Sequence, residues 1–230
     1  MTSQHPLDNP AWASLLGPHA ALAERYGTAV RYPADISPFV ALPAEPGQDD
    51  WADLAALVGP GAVAASAGVP VVPPSDWQLL RELAGVQLTG DHVAAVPDAE
   101  AIPLGLADVP EMLDLVARTQ PGPFLPRTIE LGGYIGIRRG GALVAMAGER
   151  LQPPGWTEIS AVCTAEAYRG QGLATRLTLA VAAAIRGRGD APFLHASASN
   201  VSAIRLYESL GFRLRREATF VIARAPTGAG

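Results

Sequence analysis

The segment Tyr168-Arg169-Gly170-Gln171-Gly172-Leu173-Ala174 follows an apolar run over residues 158–164 and opens directly into a helical pattern over residues 175–185. A strand, a glycine-bearing turn and a helix N-terminus therefore meet at one point, where the first backbone N–H groups have no intrahelical acceptor. The helix dipole adds partial positive charge, so the chemistry that suits the turn is binding of a phosphate or pyrophosphate. A second cluster lies further along. Asn200 is a good N-cap for a helix over residues 201–210, Tyr207 lies two turns on along the same face, and Gly211 ends the helix. Two groups able to move protons sit on neighbouring strand-like runs, Glu158 and His195. A third, Glu149, is placed symmetrically with Glu158 about the turn Pro153-Pro154-Gly155.

Familiar nucleotide motifs do not fit the turn. Gly170 and Gly172 begin a dinucleotide fingerprint, but its third glycine would fall at Thr175 and no strand-end acid follows at the required distance. A Walker A loop is excluded, because the chain contains no lysine. The arrangement Arg169-x-x-Gly172-x-Ala174 instead resembles the acyl-CoA pyrophosphate loop of the GNAT acyltransferase superfamily. The stretch Asn200-Val-Ser-Ala203-Ile-Arg-Leu206-Tyr207-Glu-Ser-Leu-Gly211-Phe212 is similar to the second signature of that superfamily and lies on the correct side of the first. The resemblance covers residues 101–224 and is nearest to the branch related to glycine N-acyltransferases, where an extra N-terminal half precedes the catalytic domain.

The resemblance implies acetyl-CoA, or another acyl-CoA, as co-substrate and a primary amine on a small molecule or peptide as acceptor. The pyrophosphate would rest on the N–H groups of Arg169, Gly170, Gln171, Gly172, Leu173, Ala174 and Thr175. Main-chain groups of Val162, Cys163 and Thr164 would hold the pantetheine arm, with Asn200 also facing the cofactor. Tyr207 matches the usual general acid; the plain alternative is a tyrosine packed on an amphipathic helix. Transfer from a thioester to an amine needs a neutral amine, a stabilised oxyanion and a proton for the leaving thiolate, but no protein nucleophile. Direct attack in a ternary complex suits a chain without a Cys-His or Ser-His constellation.

Glu158, His195 and Glu149 are the candidate bases. Strict alternation puts Glu158 on one face with Ser160 and Val162, and Cys163 on the other. A histidine at 195 titrates near neutral pH, and Glu149 beside Glu158 would form a carboxylate pair that shuttles a proton or binds an amine cation. Each has a structural alternative: a solvated carboxylate, or a hydrogen-bonded core histidine. Cys163 reads as a buried structural thiol, and Trp156, Tyr134 and Phe124 as either candidate acceptor-pocket walls or packed core aromatics. Two rival functions stay open, a catalytically silent CoA-binding module and a non-acyl nucleotide-binding protein.

These residues need a scaffold, and the 230-residue chain has enough apolar sequence (49% hydrophobic) to build one. A net charge of −5 without a dense basic stripe argues against nucleic acid as a partner. A lone cysteine excludes a disulfide framework and a cysteine metal cluster, and no metal site is read. No signal pattern or membrane-length apolar run is present, so a cytoplasmic protein without a membrane partner is expected. The oligomeric state is left open. Residues 99–224 read as β-α-β-β-β-α-β-α-β, an α/β chain with an α+β mixed sheet and helices on its faces. Residues 1–98 read as a smaller α+β unit that shapes the pocket, with helices over 15–26 and 77–83, and residues 225–230 as a disordered tail.

Overall fold

The computed structural model describes residues 5–228. The first part of the chain contains α1 (Pro10–Leu16), β1 (Glu24–Tyr26), β2 (Ala29–Arg31), β3 (Val40–Ala41), α2 (Gln48–Val58), β4 (Val63–Ala65) and β5 (Gln78–Thr89). Then follow β6 (Ile102–Leu104), α3 (Val109–Thr119), β7 (Tyr134–Arg139), β8 (Ala142–Glu149), β9 (Trp156–Thr164), α4 (Leu173–Gly187), β10 (Ala191–Ser197), α5 (Val201–Ser209) and β11 (Arg213–Arg224). From β6 onward this is the order expected from the sequence.

Strands β1–β3 make a small sheet, and the other eight form one mixed sheet in the order β4-β11-β5-β10-β9-β8-β7-β6. Helix α4 covers one face through Leu177, Val181 and Ile185, which pack on Ile159 and Leu194. The opposite face is covered twice. Helix α3 places Met112 and Leu115 over Met146 and Cys163, while the N-terminal segment lays Leu7, Leu15, Tyr32 and Ile36 over Phe193 and Leu151.

Three expectations need correction. The helix over 77–83 is instead the start of β5, which pairs antiparallel with both β10 and β11. Leu79, Leu80 and Leu83 have helix-like spacing, but the ladder that this part of β5 makes with β11 outweighs a local preference. The helix over 15–26 is a short α1 capped by Asn9, then a 3-10 turn at Ala20–Leu22 and strand β1. Residue 98 is no boundary in the sheet, because β5 comes from before it and lies between two strands from after it. In the expected tail, Ala225 donates to Ala62 O and Pro226 O accepts from Gly61, while residues 229 and 230 lie outside the described residues.

His19 ties the N-terminal segment to the rest. It is 5% exposed, with Nδ1 2.9 Å from the Tyr32 hydroxyl and Nε2 3.1 Å from Leu131 O. Burial, only partly opposed by the Leu131 bond, lowers its pKa to about 4. The unfolded chain therefore takes up the proton first, and stability present above the unfolded pKa is lost as pH falls from about 6.5 toward 4. Urea unfolding should show a loss of about 2 kcal/mol between pH 7 and pH 5 that is absent in His19→Gln. An equal loss in both proteins would assign the titration elsewhere.

Candidate active site

Strands β9 and β10 run parallel and pair only at Ala191–Trp156, Pro192–Thr157 and Phe193–Glu158. Beyond Glu158 they part. The gap opens into a cavity of about 760 Å³ that runs from the N-terminus of α4 to His195. Its walls include Val162, Cys163, Thr164, Arg169, Gly170, Gly172, Leu173, Ala174, Thr175, Asn200 and Tyr207. The structure thus brings together nearly all residues that the sequence assigned to a cofactor.

The parting is reinforced by a bulge. Gly148 faces Ser160 and Met146 faces Cys163, so β9 carries one extra residue between them. That residue is Ala161, at φ 53°, a left-handed conformation rare outside glycine. The bulge restarts the alternation of side chains. Val162 packs on the α4 side with Ile159, and Cys163 lies on the α3 side. Strict alternation had placed Val162 with Glu158, and it fails here for that reason. Burial pushes the Cys163 thiol up to about 11, consistent with an inert structural role.

At the other end of the cavity, Gly170 and Gly172 take φ of 77° and 73°, which turns the chain sharply into α4. Among the described residues, no backbone N–H from Gly170 to Thr175 donates to a protein acceptor. Six N–H groups at the positive end of a helix make a cradle for a pyrophosphate. Asn200 caps α5 by accepting from Ala203 N at 3.1 Å, which sets the helix so that Tyr207 faces the cavity. Tyr207 is 8% exposed, and burial, with the Cys163 thiol adding to it, pushes its hydroxyl up to about 12. It therefore keeps its proton at neutral pH.

Glu158 sits at the fork and does not reach the cavity. It is fully buried and receives Arg150 Nε at 2.8 Å, Arg150 Nη2 at 2.6 Å and His195 Nδ1 at 2.7 Å. Burial would raise its pKa, but the Arg150 charge and these hydrogen bonds outweigh that and hold the carboxyl well below the usual range. Gln87 fixes the histidine tautomer. Its amide donates to Leu7 O at 2.9 Å while its oxygen accepts from Arg215 at 2.9 Å, so its NH2 group faces His195 Nε2 at 3.1 Å. The His195 proton is then on Nδ1, toward Glu158. Gly68 lies over the ring, where a Cβ would come within 2.6 Å of Nε2.

Glu149 stands apart from Glu158. It pairs across the strands with Ile159, on the face opposite Glu158, and binds Arg188 at 2.7 Å and Gly133 N at 3.2 Å. The expected carboxylate pair does not form, because adjacent positions on a strand face opposite ways. The expected aromatic walls are also elsewhere: Phe124 and Tyr134 stack in the α3 core, and Trp156 packs on Phe193. Arg150 and Gln87 were missed from sequence. Arg150 is one residue from the position matched to Glu158 across the proline turn, a signal within reach; Gln87 is 108 residues from His195 and carries none.

The FR47-like protein family profile matches residues 134–221. A crystal structure from Novosphingobium aromaticivorans, described as an acetyltransferase of the GNAT family, is 42% identical with a TM-score of 0.88, over 96% of this chain and 98% of that one. A GCN5-related N-acetyltransferase from Kribbella flavida shares the fold at 17% identity and a TM-score of 0.59, over 96% of each chain. A GCN5-related N-acetyltransferase-like protein from Streptococcus suis does so at 18% and 0.54, over 94% of this chain and 92% of that one. No curated protein matches the sequence. The chain belongs to the GNAT family, whose fold and acetyl-transfer function in general it shares.

The buried ion pair is open to direct test. Arg150→Met should leave an uncompensated carboxylate and cost about 3–5 kcal/mol in urea unfolding, and Arg150→Met/Glu158→Leu should recover much of it. A cost below about 1 kcal/mol for the single change would mean that Glu158 is solvated after all.

Proposed function

We propose that the chain transfers an acetyl group from acetyl-CoA to a primary amine by direct attack within a ternary complex. The observation that carries this reading is the single cavity linking the amide cradle of α4, the parted strands and Tyr207. Acetyl-CoA, when bound, supplies the activated acyl carbon. Amides from Gly170 to Thr175 hold its pyrophosphate, the Arg169 amide expected among them being already donated to Glu166 O, and the main chain of Val162, Cys163 and Thr164, left unpaired toward β10, receives the pantetheine arm. The likeness to the glycine N-acyltransferase-related branch belongs to the same proposal.

In the step itself a C–N bond forms, the C–S bond breaks and the amine loses a proton. Tyr207 gives its hydroxyl proton to the departing sulfur, a role that fits a phenol still protonated at neutral pH. Of the three candidate bases, His195 is the one that lines the cavity. Glu158 stabilises the charge that His195 gains and orients the ring. The Nε2 lone pair is held by Gln87, so His195 accepts a proton when that hydrogen bond opens. Glu149 has no part in the step and anchors the β8 end to Arg188 and Gly133.

Tyr207→Phe should lower kcat by about a hundredfold or more while acetyl-CoA affinity, measured by calorimetry, stays within about twofold. An unchanged kcat would remove Tyr207 from the chemistry. His195→Ala should lower kcat/KM by about a hundredfold with acetyl-CoA affinity unchanged; an unchanged kcat/KM would mean that the amine sheds its proton to water.

A further inference from the structure

A second cavity, of about 460 Å³, lies on the other side of the parted strands. It meets the first at Pro121, Gly122, Arg150, His195, Ala196 and Ser197, which line both. Its remaining walls come mainly from the first part of the chain and from β11. Phe39, Ala64, Leu83, Phe220 and Ile222 are among them. Among the described residues no Asp or Glu side chain lines it, and its one full charge, Arg150, is already paired with Glu158 and stacked on the Phe39 ring at 5.0 Å.

We infer that this cavity is the acceptor site and that it takes a primary monoamine carried on an uncharged aliphatic or aromatic body. The inference rests on the proposed acetyl transfer and adds the class of acceptor to it. Three observations carry it. The boundary between the two spaces includes His195 and Arg150, so an amine entering from this side arrives beside His195 at the end of the cofactor channel. Its walls are apolar, so binding strength comes from the apolar body of the ligand and grows with its length. The absence of carboxylates leaves a second ammonium group without a counter-charge, and such a group would stay in water. The same surroundings disfavour the ammonium form of the reacting amine and favour the neutral, nucleophilic one. The first part of the chain, which holds no constellation of catalytic residues, then has a specific role in building the wall that selects the acceptor.

The test uses the full chain, acetyl-CoA and a series of n-alkylamines from propylamine to hexylamine, with spermidine and a short polar peptide as comparators. kcat/KM should rise about fourfold per methylene, the equivalent of about 0.8 kcal/mol, and spermidine and the peptide should stay below hexylamine. Leu83→Asp adds a carboxylate to the wall at a position 37% exposed, where folding tolerates it. That change should lower kcat/KM for hexylamine at least about tenfold and raise it for spermidine, with acetyl-CoA affinity unchanged because Leu83 does not line the first cavity. A flat alkylamine series, or spermidine or the peptide as the better acceptor, would overturn the inference and leave acetyl transfer standing. Failure to bind acetyl-CoA would overturn the transfer reading itself. If acetyl-CoA binds but no amine turns over, saturation-transfer NMR with hexylamine and CoA decides, and absence of hexylamine binding overturns the inference.

Discussion

The carboxylate of Glu158 stands at the point where β9 and β10 cease to pair, and much of the site is arranged around it. A charge cannot be buried there without compensation. Arg150 and His195 provide it from the two neighbouring strands' ends, and both also line the cavities. One buried ion therefore sits at the fork and fixes the two polar side chains packed around it. From His195 the network continues through Gln87 to Arg215 and on to Asp8, reaching the N-terminal segment.

The role of that segment follows from sheet geometry. β10 needs a partner on the side away from β9, and in this chain the partner is β5, which arrives from before residue 98. β11 then pairs on the far edge of β5 and β4 on the edge of β11. A strand contributed early in the chain is thus built into the sheet whose later strands carry the cofactor channel. Gln87 is on that strand, which is why a residue so distant in sequence sets the histidine tautomer. The covering of Phe193 by Leu7, Leu15 and Ile36 and the wall made by Phe39 and Leu83 are further consequences of the same insertion.

The two ends of the cofactor channel differ in how they are built. The α4 end relies on backbone, with two glycines at positive φ presenting free amides, and tolerates any side chain that leaves the turn intact. The Tyr207 end relies on side-chain placement, set by the Asn200 cap and by the Phe212 ring against which Tyr207 packs. In the proposed reaction the first would hold the cofactor without specifying an acceptor, and the second would set where the acyl group lies.

By itself the sequence determined the elements from residue 101 onward, the glycine turn before α4, the cap at Asn200 and the position of Tyr207 on α5. These are set by local rules of periodicity, capping and turn conformation, and the GNAT resemblance rests on them. Tertiary structure decided what depends on register and on distant partners. The bulge at Ala161 reversed the facing of Val162, the offset across the Pro153 turn exchanged Glu149 for Arg150 as the partner of Glu158, and pairing with the distant β11 made residues 78–89 a strand. Each of these turns on one residue of register or on hydrogen bonds to strands far along the chain, and local sequence spacing fixes the first no better than to within a residue and the second not at all.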